Sequence, residues 1–104
     1  MKAISNELLS EVLKTDKFRV DGIFNNTILL RYKDGGGWDY NVYEFAFKCK
    51  AWAYSKCYEI ISYTEGSKIY QTQLGETIEE FYAESEIQAI FKACEWIMQQ
   101  KDKQ

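Results

Sequence analysis

The hydrophobic residues of this chain change several times between the spacing of a helix and the spacing of a strand. Residues 4–14 carry an apolar stripe at helical spacing. A second stripe follows the capping box of Ser85 and Gln88 and predicts a helix over residues 85–101. Between them, β-branched and aromatic residues alternate with polar ones, as in half-buried strands. This mixture of periods predicts the α+β class.

The alternating segments predict two hairpins. Asn25 and Asn26 join strands at about 17–24 and 27–33, because asparagine tolerates the positive φ of tight turns. A turn at residues 65–67 joins strands at 58–64 and 68–74, and Gly75 ends the second of these. The sequence leaves open whether residues 78–83 add a further short strand. Their glutamates would place such a strand at a sheet edge, where charge blocks further pairing.

The middle segment, residues 41–57, fits both periods. Asn41 and Glu44 are spaced as an N-cap pair, Glu44 and Lys48 as an ion pair, and the segment exceeds a usual strand, so a helix is predicted. The predicted order is α-ββ-α-ββ(β)-α, with one antiparallel sheet of four to five strands and three helices. The whole chain, residues 1–104, is expected to form a single compact domain, and no internal repeat is detected in the sequence.

A run of glycines, Asp34-Gly35-Gly36-Gly37, is the strongest break in the chain. It has neither the GxGxxG nor the GxxxxGK spacing, and acidic residues flank it, so the sequence favours a flexible connector over a phosphate loop. A small-ligand or nucleotide site, with Trp38, Tyr40 and this loop at its mouth, is an alternative function.

The chain contains no histidine, which excludes Ser-His-Asp and Cys-His catalysis, HExxH metal helices and Cys₂His₂ zinc sites. Cys49, Cys57 and Cys94 are an odd number of thiols at spacings that fit neither a disulfide framework nor a CxxC pair. Their apolar neighbours predict reduced core cysteines. We therefore expect no enzyme activity, no catalytic residue, no metal and no cofactor.

Net charge and hydropathy limit the partners. A net charge of −3 and a pI near 5.0 disfavour direct nucleic-acid binding, which needs clustered Lys and Arg. Acidic residues lie among the basic residues of the first predicted hairpin, so these basic residues do not form a continuous patch of positive charge. No segment approaches the ~18 apolar residues of a spanning helix, and residues 1–7 lack the apolar stretch of a secretory signal. The expected location is the cytoplasm, without membrane contact.

Negative charge is concentrated in the segment 76–86, which has five glutamates and neither Lys nor Arg. One interpretation is a solvated loop with favourable charge at a helix N-terminus. The other is an anionic surface, interleaved with aromatics, that binds a protein partner with a basic surface. A structural homodimer is a further alternative. The predicted protein-binding residues are Glu76, Glu79, Glu80, Phe81, Tyr82, Glu84 and Glu86.

Part of the chain, mainly residues 41–98, resembles small uncharacterised α+β proteins of phages and prophages. The resemblance is carried by Lys48-Cys49-Lys50-Ala51-Trp52-Ala53 and by Phe81-Tyr82-Ala83-Glu84-Ser85-Glu86-Ile87-Gln88-Ala89-Ile90-Phe91-Lys92-Ala93-Cys94-Glu95-Trp96-Ile97. It implies an accessory domain of mobile-element origin and transfers no functional residue. By analogy with acidic phage proteins of this size, it also implies an inhibitor that occupies the nucleic-acid groove of a host defence nuclease.

Overall fold

The computed structural model describes residues 4–101, in which helices and strands alternate as the α+β class requires. The helices are α1 (Asn6–Leu13), α2 (Val42–Ser55) and α3 (Glu86–Lys101). The strands are β1 (Phe18–Phe24), β2 (Thr27–Tyr32), β3 (Gly37–Asn41), β4 (Tyr58–Tyr63), β5 (Gly66–Gln71) and β6 (Glu76–Tyr82). The predicted α+β class and the three predicted helices are confirmed. No helix in this range has the length and apolar character to cross a bilayer.

The strands form two separate antiparallel sheets, β1-β2-β3 and β4-β5-β6. The prediction of one sheet with four to five strands is therefore wrong. The strand absent from that prediction is β3, a short segment that lies between the glycine loop and the start of the middle helix. Gly35 and Gly36 adopt φ values of +102° and +81°, and the Gly35 N–H donates to the Tyr32 carbonyl at 3.2 Å. The glycine run is thus a hydrogen-bonded turn that returns the chain onto β2.

The two predicted hairpins form, with different turns. Asn25 and Asn26 have φ values of 49° and 59°, the paired left-handed geometry that the sequence predicted between β1 and β2. The turn between β4 and β5 begins earlier than predicted, so that β5 starts at Gly66. A side chain at Gly66 would place its Cβ 2.7 Å from the Tyr63 ring and 2.8 Å from the Phe81 carbonyl. Glycine is required at position 66 because any larger residue would collide with these two groups.

Three strands followed by a helix occur twice, a repetition that was not detected in the sequence. We call β1–β3 with α2 the N-terminal unit and β4–β6 with α3 the C-terminal unit. The helices begin after the caps Asn41 and Ser85, and each carries the pattern Phe-Lys-x-x-x-Trp at the same distance from its cap. This shared pattern is the sequence signal from which the repetition could have been predicted.

A single hydrophobic core joins both sheets and all three helices. Helix α1 contacts β1, α2 contacts α3, β3 and β4, and α3 contacts all three strands of the second sheet. The capping predictions hold: the Asn41 side chain accepts from the N–H groups of Tyr43 and Glu44, and Ser85 accepts from that of Gln88. The largest fully buried side chains are Phe45, Leu8, Leu9, Ile28, Ile69, Val42, Cys49, Cys94 and Ser67.

Candidate protein-binding surface

The acidic segment lies at the junction of β6 and α3. In the part of the chain that the structure describes, β6 is an edge strand that pairs with β5. The strand left open at residues 78–83 thus forms, although it begins earlier, at Glu76, and ends at Tyr82. Five of the predicted binding residues lie in β6, Glu84 lies in the following loop, and Glu86 is the first residue of α3. The seven residues therefore lie close together along the chain, in β6, the following loop and the first residue of α3.

The pairing with β5 divides this stretch between two faces of the sheet. Phe81 lies opposite Ser67 and Glu79 opposite Ile69, both of which are buried against the helices. Both predicted residues are accordingly half-buried on the inner face. Alternation turns Glu80 and Tyr82 to the outer face, where both are exposed.

Tyr82 and Glu80 form a polar pair on the outer face. The Tyr82 hydroxyl donates to Glu80 Oε2 at 3.2 Å, and 66% of the residue is exposed. The carboxylate of Glu80 raises the pKa of Tyr82 above its ordinary value of 10.0, because it opposes a second negative charge on the phenol oxygen. Beside the pair, a shallow hollow of about 410 Å³ is bordered by Tyr63, Thr64, Glu65, Tyr82 and Ala83.

A groove of about 930 Å³ runs between the end of β6 and α3. Its apolar lining is formed by Ile4, Phe81, Phe91 and Trp96, and Glu84 borders it. Other polar side chains on its border are Gln88, Lys92, Glu95 and Gln99. These α3 residues were not predicted from the sequence, although Gln88, Lys92, Glu95 and Gln99 follow helical spacing beside the core-facing stripe.

Two charged side chains of the groove are held by neutral groups. Lys92 Nζ donates to the Tyr82 carbonyl at 2.6 Å, which fixes α3 against the end of β6. The Ser5 hydroxyl donates to Glu95 Oε1 at 2.6 Å. The hydrogen-bond partner of Glu95 is thus a neutral hydroxyl and not a cation.

Glu86 has a structural role. It accepts a hydrogen bond from the Ser62 hydroxyl at 2.6 Å and lies in the first turn of α3, where negative charge is favourable. For this residue the structure supports the first interpretation, helix-terminal charge. For residues 4–101, the ion pairs described join Arg31 to Asp21, Lys33 to Asp16 and Lys56 to Glu11. None involves a glutamate of segment 76–86.

Basic residues elsewhere are dispersed among acidic ones, as predicted. Arg31 pairs with Asp21 at 3.0 Å and Lys33 with Asp16 at 3.7 Å. Lys48 lies 5.5 Å from the centre of the Tyr40 ring, and the hydrogen bond and charge of Tyr40 raise its pKa above 10.5. The predicted pairing of Lys48 with Glu44 is absent from the ion pairs described for residues 4–101.

The residues of the alternative nucleotide site take part in packing. Tyr40 is buried, with its ring 6.0 Å from Phe45 and 4.9 Å from Trp38. Cys49 and Cys94 are buried, as predicted, whereas Cys57 is only half-buried. Burial raises the pKa of the Cys49 thiol well above 9.0. Within residues 4–101, no group of three or more Cys, Asp or Glu side chains is arranged to hold a metal ion.

No protein family, curated protein or solved structure matches this chain. The similarity to phage proteins is therefore still a hypothesis.

Proposed function

We propose that this protein is a non-enzymatic binding module that holds a basic surface of another protein against its C-terminal unit. The observation that carries the proposal is the juxtaposition of Glu84 and Glu95 with a groove of about 930 Å³ that has an aromatic lining. The exposed Glu76 and Glu80 of β6 add negative charge farther from the groove, and none of these four glutamates is in the ion pairs described. Charge alone is typical of a solvated face. Charge beside an apolar recess offers both long-range attraction and an anchoring site.

The groove supplies the anchoring part of this interaction. Phe81, Phe91 and Trp96 line it with aromatic surface, which dominates binding energy where water is excluded. A leucine or an aromatic side chain of the partner would occupy part of it. Glu84 and Glu95 on the border would then meet Lys or Arg residues on either side of that anchor.

The acidic residues supply the steering part. Glu76, Glu80 and Glu84 are exposed, so their attraction for a basic partner acts over roughly one Debye length, about 10 Å at 0.1 M salt. A nuclease groove that normally receives phosphates has the required Lys and Arg lining. Inhibition of a host defence nuclease by a phage-encoded protein is the finer form of this proposal, and the analogy with acidic phage proteins supports it.

Binding of short peptides tests the proposal even while the natural partner is unidentified. The probes are fluorescein-labelled peptides with a central Leu or Trp between Lys and Arg residues, and matched peptides with Glu in place of the basic residues. Fluorescence anisotropy at several salt concentrations measures affinity. We expect binding of the basic peptides only, with affinity that falls as salt rises.

A charge-matched pair of variants locates the site. Combined Glu76→Lys, Glu80→Lys and Glu84→Lys substitutions should weaken binding by about tenfold or more, since three attractive contacts become repulsive. The control, Asp16→Lys with Asp34→Lys and Asp39→Lys, changes net charge equally but alters exposed residues outside the C-terminal unit and outside the lining of the groove. Equal loss in both variants, or no binding of any basic peptide, would contradict the proposal.

A further inference from the structure

Helix α2 presents a row of aromatic side chains to solvent. Tyr43, Phe47 and Tyr54 are 55%, 75% and 63% exposed. Lys50 completes the row, and at about 100° per residue all four positions fall within roughly 60° of the helix circumference. We call these four residues the α2 stripe. The opposite side of the helix is already occupied by the core, to which it contributes Val42, Phe45, Ala46, Cys49, Trp52 and Ala53.

The stripe has the spacing of a helix-pairing seam. Its members follow one another at intervals of four, three and four residues, the alternation found at the a and d positions of coiled coils. The intervals read the same in both chain directions. An identical helix laid antiparallel across a two-fold axis therefore matches it, with Tyr43 beside Tyr54 of the other copy and Phe47 beside Lys50.

We propose that two copies of this protein associate through their α2 stripes, with the helices antiparallel. Such an interface is isologous, so it closes on itself and stops at a dimer. It lies on the N-terminal unit and does not depend on the function proposed for β6 and α3.

The charges on α2 favour the antiparallel arrangement. A parallel pair would place the two Lys50 ammonium groups at the same level of the seam. In the antiparallel pair each Lys50 stem lies against the Phe47 ring of the other copy, where a cation over an aromatic face is stabilising. The same arrangement places Glu44 within one helical turn of Lys50 of the other copy, so opposite charges border the seam.

The available area sets the expected strength. Aromatic side chains bury about 150–250 Å² each, so the exposed parts of the three rings offer roughly 400 Å² per copy. Lys50 and the flanking residues bring the total for both copies to about 1,000 Å², below the roughly 1,200–2,000 Å² of stable interfaces and in the range of weak, transient ones. We therefore expect a dimer that dissociates at micromolar concentration.

Sedimentation of the full chain over a range of micromolar concentrations tests the interface. The mass should rise from monomer toward dimer, and Phe47→Glu should hold it at monomer throughout. Phe24→Glu is the control, because Phe24 is similarly exposed but lies at the end of β1, outside the stripe. Monomer at every concentration, or equal association of the Phe47→Glu variant, would overturn the proposal.

Thiol cross-linking tests the direction of the helices. In a Cys57→Ser background, the Tyr43→Cys and Tyr54→Cys proteins are treated with a short bifunctional maleimide, separately and after mixing. The antiparallel pair predicts cross-linked dimer in the mixture and little in either protein alone. Efficient cross-linking of each protein alone would overturn the antiparallel arrangement. The Glu76→Lys, Glu80→Lys and Glu84→Lys protein should dimerise like the parent, which separates this inference from the peptide-binding proposal.

Discussion

The two units share an order of elements but differ in what their helices bury. Phe47 in α2 and Phe91 in α3 occupy the same place in the Phe-Lys-x-x-x-Trp pattern, yet Phe47 is 75% exposed and Phe91 only 6%. The core phenylalanine of α2 is instead Phe45, whose ring lies 5.9 Å from that of Phe91. Each helix thus contributes one phenylalanine to the shared core, from different positions.

The middle strands show the same kind of difference. Ile28 and Ser67 are both the second residue of the central strand of their sheet, and both are fully buried. Ile28 fills space. The Ser67 hydroxyl instead donates to the Ala89 carbonyl of α3 at 2.7 Å, which joins the second sheet to its helix by a satisfied polar contact. A repeated order of elements therefore does not imply repeated environments.

The largest expected effect is on the free energy of unfolding, and it distinguishes Phe91 from Phe47. Phe91→Ala removes a buried ring and leaves a cavity beside Phe45, so the free energy of unfolding should fall by about 3–5 kcal/mol. Phe47→Ala removes an exposed ring and should change it by less than about 0.5 kcal/mol. Urea unfolding of both variants, at concentrations too low for self-association, provides the measurement. Similar losses of stability in the two variants would contradict the difference in burial between Phe91 and Phe47.

Much of the fold followed from local signals. The apolar stripes, the caps at Asn41 and Ser85 and the Asn25-Asn26 turn each act over a few residues, so they predicted three helices and two hairpins. The division into two sheets did not follow. The third strand of the first sheet did not follow either, because β3 is held by pairing with β2 and by Gly35 and Gly36 in positive-φ conformations that a glycine run alone does not specify.

The second prediction compares a glycine from each sheet. Gly66→Ala forces a Cβ to within 2.8 Å of the Phe81 carbonyl oxygen, and the free energy of unfolding should fall by about 1–3 kcal/mol. A Cβ at Gly22 in β1 would have no atom within 4 Å, so Gly22→Ala should leave stability unchanged or raise it by up to about 1 kcal/mol. Thermal unfolding of both variants measures the contrast. A cost at Gly22 as large as that at Gly66 would remove the distinction.

The candidate surface was predictable in composition but not in arrangement. The glutamates and aromatics of segment 76–86 were found because charge runs are visible in a sequence. Their division between two faces depends on the register of β6 with β5, including the irregularity at Ile69 and Tyr70. The contribution of Trp96 and Glu95 to the groove depends on how α3 lies against β6, which no local pattern encodes.

The smallest expected effect concerns the outer face of the second sheet, where Glu80 acts on Tyr82. Because the carboxylate opposes formation of the phenolate and accepts its hydrogen bond, Glu80→Gln should lower the pKa of Tyr82 toward 10.0. The absorbance titration of each protein, minus that of the same protein carrying Tyr82→Phe, isolates this phenol from the other seven tyrosines. Glu76→Gln, on the same strand but without this contact, is the control and should leave the pKa of Tyr82 unchanged. An equal shift in both variants would mean that the net charge of the segment, rather than the contact with Glu80, sets the pKa.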